Sequence, residues 1–171
     1  IRRPPRSTLS SSSAASDVYK RQMYNIVKRQ AEVEILPMSQ TENIGVISYS
    51  PLGGGLLTGK YSSVDSSNKN SLGRLHDNSK YKKRYGQNWM YDAANSLVNL
   101  ANDLDYDPIA LAVAWVSYND AITAPIISAR NLKQLKPSLD SVKISLDQET
   151  YNLISNISPT PPPATDRLEE V

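Results

Sequence analysis

The sequence predicts an α/β fold in which parallel strands alternate with helices. Two short, largely apolar segments, GVISYS at 45–50 and APII at 124–127, have the length and composition of buried strands. Segments with apolar residues at three- and four-residue spacing lie before, between and after them, and no hairpin turn connects two strands. Strands separated by helices require crossover connections, so neighbouring strands of the predicted sheet run parallel.

The first helical region precedes the first predicted strand. Residues 26–43 mix apolar and charged side chains at near-helical spacing. Pro37 must lie in a first turn or at a kink, because it cannot donate to the helix ladder. The tripeptide NIG then ends this region, since Asn and Gly commonly end helices, and the strand 45–50 follows directly.

Helices are expected again after a long polar stretch. Residues 62–80 are rich in Gly, Ser and Asn and predict a long loop. The apolar stripe within residues 88–104 predicts an amphipathic helix. Asp107 and Pro108 then match the N-cap and first position of a helix that is apolar on most sides and therefore largely buried.

The last third of the chain contains the second strand and two shorter helices. A helix is expected to begin near Asn131, and Pro137 is expected to bend or shorten it. The motif SLDQ, with Ser145 as N-cap and Gln148 three residues later, matches a capping box for the final helix. Residues 158–171 are Pro-rich and predict a flexible, extended tail.

Residues 1–22 differ in composition from the rest of the chain. They are rich in Arg and Ser and have almost no periodic apolar residues, so they cannot bury enough surface to offset the entropy of ordering. They lack the apolar core of a secretory signal, and they resemble a translated adaptor sequence more closely than a transit peptide. We therefore expect a non-native or disordered leader, with the native sequence beginning near Met23.

Two strands are too few for a complete parallel fold. They neither close a barrel nor form a stable open parallel sheet. The chain of 171 residues is nevertheless long enough to bury a modest hydrophobic core. The sequence therefore predicts that its body, residues 23–157, is a truncated part of a larger fold.

Composition and charge exclude several classes of function. The absence of cysteine excludes disulfides and thiolate metal sites, and a single histidine, His76, argues against a metal centre. The net charge of +2 arises in residues 1–22, which carry +4, whereas the rest of the chain carries −2 and predicts no nucleic-acid surface. No apolar run reaches the roughly 18 residues of a membrane helix. We expect a cytoplasmic protein without membrane insertion.

A glycine-rich segment follows the first predicted strand directly. In YSPLGGGLLTGK, residues 49–60, backbone N–H groups of a tight turn could bind an anion, and Lys60 adds a positive charge. Tyr49 ends the strand and offers a flat face for stacking. The alternative, a plain turn with a surface lysine, is about equally compatible with the pattern. A P-loop is excluded, because Tyr61 follows Lys60 where that motif requires Ser or Thr.

A candidate anion-binding loop also follows the second predicted strand. In IISARNLKQL, residues 126–135, Arg130 stands at the entrance of a helix, where the free N–H groups favour an anion. Taken alone, Arg130 is better explained as a solvated surface residue. Two such loops after successive strands, however, favour one ligand that carries two separated phosphate groups.

Five segments together resemble the aldo-keto reductase superfamily, near the bacterial relatives of the potassium-channel β subunits. They are MYNIVKRQAEVEILPM, YSPLGGGLLTGKY, GRL, YKKRY and PIISARNLKQL, at 23–38, 49–61, 73–75, 81–85 and 125–135. The resemblance implies the C-terminal part of a (β/α)8 TIM barrel, the cofactor NADP(H), and reduction of a small-molecule aldehyde or ketone. Tyr, Lys, Asp and His of the early barrel strands would supply the acid–base chemistry, so no catalytic residue is assigned within this chain.

The resemblance also implies a set of cofactor contacts. Tyr49 corresponds to an aromatic residue that stacks on nicotinamide, and Arg21 stands where the family has a glutamine for the carboxamide. Pro137 and Ser138 replace a Glu-Asn pair at the adenine. The other implied contacts are Ser50, Pro51, Leu52, Gly54 and Lys60 along the pyrophosphate, Arg74 in a loop over the cofactor, Ser128 and Arg130 at the 2′-phosphate, Gln134 at the adenosine, and Ser138.

Two other functions remain open at this point. The first is an NADPH-binding regulatory subunit of the channel-β type with little or no turnover, whose cofactor loops would look the same. The second is another phosphate-binding (β/α)8 enzyme, since a fold alone does not determine a reaction. Tyr24, Tyr81 and Tyr85 are expected to be packing or surface residues rather than substitutes for the catalytic tyrosine.

Overall fold

A computed structural model describes residues 19–61, 75 and 78–163. Its three strands are β1 (Tyr19–Met23), β2 (Gly45–Tyr49) and β3 (Ile122–Ile126). The α-helices whose bounds fall within these residues are α1 (Ile35–Thr41), α2 (Ser79–Tyr85), α3 (Asn88–Asp103), α4 (Pro108–Tyr118), α5 (Leu132–Asp140) and α6 (Gln148–Ser155). Short 3-10 segments lie at Gln30–Glu32, Gly53–Thr58 and Ser141–Lys143.

The strands form one parallel sheet in the order β1-β2-β3. Met23 pairs with Tyr49, and Tyr49 pairs with Ile126, so the carboxyl ends of all three strands are level. The register shifts once, between Val46 and Ile47. The α/β class and the parallel arrangement predicted from the sequence are thereby confirmed.

The sequence predicts two strands and places residues up to 22 outside the fold, so β1 is a strand that was not predicted. The boundary predicted at Met23 falls inside this strand, which pairs with the whole of β2. The side chains of Tyr19, Lys20 and Arg21 are exposed, so the segment shows no alternation of apolar and polar residues. Backbone hydrogen bonds to β2 hold it at the edge of the sheet, and composition does not report such bonds.

The two longest helices, α3 and α4, supply a large share of the core. The apolar stripe of 88–104 becomes α3, and α4 begins as predicted, because the Asp107 carboxylate accepts hydrogen bonds from Ile109 N–H at 2.7 Å and Ala110 N–H at 3.2 Å. Trp115 in α4 is fully buried. The same core contains Val46, Leu56, Leu57, Met90, Leu97, Ala101, Leu111 and Val116.

Three other predicted boundaries were wrong. The helix expected over 26–43 is confined to the 3-10 turn Gln30–Glu32 and α1, because a tight turn around Asn25 and Lys28 precedes them. The last helix is capped by Asp147 instead of Ser145, since the Asp147 carboxylate accepts from Thr150 N–H at 2.7 Å. The polar stretch 62–80 already enters α2 at Ser79.

Residues 158–163 have no regular secondary structure, and 164–171 lie outside the described residues, as does His76. Among the described helices, none combines the length and the apolar character needed to cross a membrane. Within the same residues, no cluster of His, Cys, Asp or Glu could hold a metal ion.

Candidate functional site

The level carboxyl ends of the strands bring three loops to one edge of the sheet. These loops are residues 24–29 after β1, residues 50–60 after β2, and residues 127–131 after β3. Ligands of parallel α/β folds bind outside the carboxyl ends of the strands. We call this side of the molecule the carboxyl edge and residues 50–60 the glycine loop.

The glycine loop is built from left-handed backbone. Ser50 has φ of 58°, and Gly53, Gly54 and Gly55 have φ of 56°, 69° and 97°. At Gly54 an added Cβ atom would lie 2.6 Å from Tyr81 Cδ1, which leaves no room for a side chain. The positive φ and this contact together require glycine at position 54.

The loop leaves hydrogen-bond donors available. Gly53 N–H donates to the Ser50 carbonyl at 3.0 Å, and Gly55 N–H donates to the Leu52 carbonyl at 2.9 Å. The N–H groups of Leu52 and Gly54 have no acceptor within the part of the chain that the structure describes. Lys60 Nζ lies 3.1 Å from where a Cβ atom on Gly55 would be, so a positive charge sits against the same loop. Donors and charge of this kind suit a phosphate group.

Other cations border the carboxyl edge. The guanidinium of Arg21 lies 5.6 Å from the ring centroid of Tyr49, which is itself half-buried. Burial, together with the neighbouring positive charge of Arg84, lowers the pKa of Lys28 in the loop after β1. The described residues give none of Arg21, Lys28 and Lys60 an ion-pair partner. These three cations therefore lie at or next to the carboxyl edge, although the body of the chain is slightly acidic.

A buried hydrogen-bond network that the sequence does not predict supports the glycine loop. Asn25 is fully buried, and its side-chain Nδ2 donates to the Ser50 carbonyl at 2.8 Å. Tyr85, also fully buried, donates to Met23 Sδ at 3.4 Å and lies 3.5 Å from Asn25 Nδ2. The one available signal was an asparagine two residues after a strand end, and that strand was itself not predicted.

Two tyrosines near the edge are held in protonated form. Burial raises the pKa of Tyr85, and the hydrogen bond from Asn25 only partly opposes this. Burial, with the charges of Tyr151 and Glu32, raises the pKa of Tyr24 well above its usual range. Tyr24 donates its hydroxyl hydrogen to Glu32 Oε1 at 2.7 Å. Both side chains are buried, in agreement with the first of the two roles expected from the sequence, packing or surface residues. Their roles as hydrogen-bond donors were not predicted.

The loop after β3 is braced by its own side chains. Asn131 Oδ1 accepts from Gln134 N–H at 3.0 Å, and Gln134 Oε1 accepts from Arg130 N–H at 3.1 Å. The side-chain oxygen of Gln134, a predicted cofactor contact, is therefore already used as an acceptor within the loop. The side chains of Ser128 and Arg130 are exposed at the carboxyl edge.

The predicted contact residues do not all come together. Tyr49 ends β2 at the carboxyl edge. The loop after β2 carries Ser50, Pro51, Leu52, Gly54 and Lys60, and the loop after the adjacent strand β3 carries Ser128 and Arg130. Ser138 does not join them: it is only 4% exposed. Its backbone carbonyl accepts a hydrogen bond from Ser141 Oγ at 2.7 Å. Arg74 lies outside the described residues.

Comparison with known proteins assigns the chain to a family and its fold to a class. The pattern of the Aldo/keto reductase family matches residues 17–159, and the chain belongs to that family. A solved relative, the glycerol dehydrogenase AKR11B4 from Gluconobacter oxydans, superimposes with a TM-score of 0.63 at 26% identity, over 80% of this chain and 41% of that chain. The three-stranded parallel sheet is therefore part of a (β/α)8 barrel, as predicted.

Two curated relatives agree with this assignment. The uncharacterized oxidoreductase YrpG of Bacillus subtilis (strain 168) is 31% identical over 144 residues, which are 84% of this chain and 41% of the relative. Aflatoxin B1 aldehyde reductase member 2 of Mus musculus is 32% identical over 130 residues, 68% of this chain and 35% of the relative. The chain thus spans less than half the length of the relatives it matches.

Proposed function

We propose that this chain forms the cofactor-binding part of an NADP(H)-dependent aldo-keto reductase that acts on an aldehyde or ketone. The observation that carries the proposal is the glycine loop. It places the unpaired N–H groups of Leu52 and Gly54 and the charge of Lys60 at the carboxyl edge. NADP(H) carries a pyrophosphate and a separate 2′-phosphate, and Arg130 is exposed on the loop after β3, the next loop along the same edge.

The donor set of the edge fits such a cofactor. Backbone N–H groups and a lysine ammonium suit a pyrophosphate, and a guanidinium suits a phosphate monoester bidentately. Tyr49 offers a half-buried ring to a planar group. When bound, NADPH supplies a hydride for the carbonyl carbon, and the residues of this chain bind and orient it. No residue of this chain is assigned as the proton donor for the carbonyl oxygen. We also propose that the whole protein is cytoplasmic.

Separate charge removals test the assignment of the two phosphates. Lys60→Met is expected to weaken NADPH and NADH binding alike by about tenfold or more, because both dinucleotides carry the pyrophosphate. Arg130→Met is expected to weaken NADPH by a similar factor and to leave NADH nearly unchanged, because only NADPH carries the 2′-phosphate. Equilibrium titration followed by nucleotide fluorescence measures both effects.

Lys143→Met is the matched control. It removes an exposed cation that pairs with Asp140 beyond the far end of α5 from Arg130. The affinity of the Lys143→Met variant for NADPH and for NADH should equal that of the unmodified chain. Unchanged NADPH affinity in Lys60→Met, or an equal loss of both nucleotides in Arg130→Met, would contradict the proposed assignment.

A further inference from the structure

The glycine loop begins at a residue in an unfavourable conformation. Ser50 has φ of 58°, a left-handed value that L-residues other than glycine, asparagine and aspartate rarely adopt. Such a conformation persists only where the surroundings hold it in place. Leu52 and Gly54 follow two and four residues later in the same loop, so the direction of their N–H groups depends on how Ser50 is held.

Asn25 holds Ser50 from the neighbouring loop. Its Nδ2 donates to the Ser50 carbonyl at 2.8 Å, while its Oδ1 accepts from Val27 N–H at 3.1 Å. A backbone carbonyl can only accept and a backbone N–H can only donate, so one orientation of the amide satisfies both. The backbone of Asn25 is fixed in turn by reciprocal hydrogen bonds with Lys28, at 2.9 and 3.3 Å.

Tyr85 extends this support under the loop. Its ring atoms lie 3.6 Å and 3.5 Å from the positions that Cβ atoms on Gly53 and Gly54 would occupy. Its hydroxyl lies within 3.5 Å of Asn25 Nδ2. The Ser50 carbonyl accepts from both Asn25 and Gly53 N–H. The start of the glycine loop is therefore in contact with both the loop after β1 and α2.

We propose that Asn25 is a positioning residue for the cofactor: without touching the nucleotide, it holds Ser50 in the left-handed conformation that directs the Leu52 and Gly54 N–H groups toward the pyrophosphate. This inference rests on the function proposed above. Asn25 acts on the pyrophosphate end alone, because its hydrogen bonds reach only the loops after β1 and β2.

Asn25→Asp is the variant that isolates the role. It retains the size and the Oδ1 acceptor for Val27 N–H but places an oxygen against the Ser50 carbonyl. Asn119→Asp is the matched control, because the Asn119 side chain makes the same kinds of hydrogen bond. Its Oδ1 accepts from the N–H of Ala121, two residues later in the chain, and its Nδ2 donates to Tyr24 OH. Should the buried carboxylate prevent folding, Asn25→Ser and Asn119→Ser form an uncharged pair for the same comparison.

The first measurement needs no nucleotide. Hydrogen exchange of the Gly53 amide reports its hydrogen bond to Ser50. We expect Asn25→Asp to speed this exchange about tenfold or more and Asn119→Asp to leave it unchanged. Unchanged Gly53 exchange in Asn25→Asp and in Asn25→Ser would overturn the positioning role.

The second measurement compares two ligands. Asn25→Asp is expected to weaken NADPH binding about tenfold and to leave the binding of adenosine 2′,5′-bisphosphate, which lacks the pyrophosphate bridge, within about twofold. Adding Ser50→Gly should restore much of the NADPH affinity, because glycine adopts the left-handed conformation unaided.

Equal loss of both ligands without rescue by Ser50→Gly would show a merely structural role and overturn the proposal. An unmodified chain that binds no NADPH would overturn the proposed function instead, while Gly53 exchange still decides whether Asn25 holds Ser50. The two failures are therefore read from different experiments.

Discussion

Single residues decide the shape of the glycine loop. Gly54 combines a φ of 69° with a contact that leaves an added Cβ atom 2.6 Å from Tyr81 Cδ1. The sequence showed that glycine permits such backbone, which is why the loop was predicted. It did not show that an aromatic side chain from α2 lies against it.

Gly54→Ala is expected to destabilise the fold by about 1–3 kcal/mol, from the left-handed strain and the displacement of Tyr81. Urea unfolding followed by tryptophan fluorescence gives the free energy of unfolding. Ser96→Ala, an exposed substitution on α3, serves as control and should change it by less than about 0.5 kcal/mol. A Gly54→Ala chain as stable as this control would contradict the geometry of the loop.

Whole elements were predictable where the side chains carry the signal. α3 and α4 have apolar faces that must be buried. The start of α4 is also predictable, because Asp107 and Pro108 are typical of the N-cap and first helical position. β1 carries no such signal, because its ladder bonds involve the backbone and its side chains are largely exposed. Asn25 bonds to Ser50, which is 25 positions away in the sequence, and to Tyr85, which is 60 positions away. Only the folded chain reveals these hydrogen bonds.

The start of α6 offers a test at this scale. Ser145 and Asp147 are both capping residue types, and in the structure Asp147 caps, with Thr150 N–H as donor. Asp147→Ala should lower the urea midpoint of unfolding, and Ser145→Ala should leave it unchanged. The reverse order would contradict the observed cap.

The cap also predicts a dependence on pH. The hydrogen bonds from Thr150 lower the pKa of Asp147 in the folded chain. Its contribution to stability is therefore present above the unfolded pKa of about 3.9 and is lost as pH falls through the folded value. The difference in stability between the unmodified chain and Asp147→Ala should shrink below about pH 4. A difference that stays constant down to pH 2 would contradict this account.

On the scale of the whole molecule, Arg29 ties the first loop to the last helix. Its guanidinium donates to both Glu32 carboxylate oxygens at 2.8 Å and to the Ser155 carbonyl at 2.6 Å, 126 residues away. It also lies 5.7 Å from the ring centroid of Trp115. Burial opposes the charge, yet the hydrogen bonds with Glu32 raise the pKa of Arg29. The planar side chain thus fixes α6 against the loop after β1.

Arg29→Lys is expected to lower the free energy of unfolding by about 1–3 kcal/mol, because an ammonium cannot make the paired bonds to Glu32 and reach Ser155 as well. Lys143→Met provides the comparison, since it breaks an ion pair of the same i, i+3 spacing whose lysine is 74% exposed. That pair should contribute nothing measurable. Equal effects of the two substitutions would argue against a role for Arg29 in holding α6.

The central claim is that two loops at one edge of the sheet bind opposite ends of a single dinucleotide. The measurement that tests it most directly is NADPH titration of the Lys60→Met/Arg130→Met double variant beside the two single variants. We expect the free-energy losses of the single variants to add, so that affinity falls by about 100-fold or more. Undiminished NADPH affinity after removal of both charges would contradict the account.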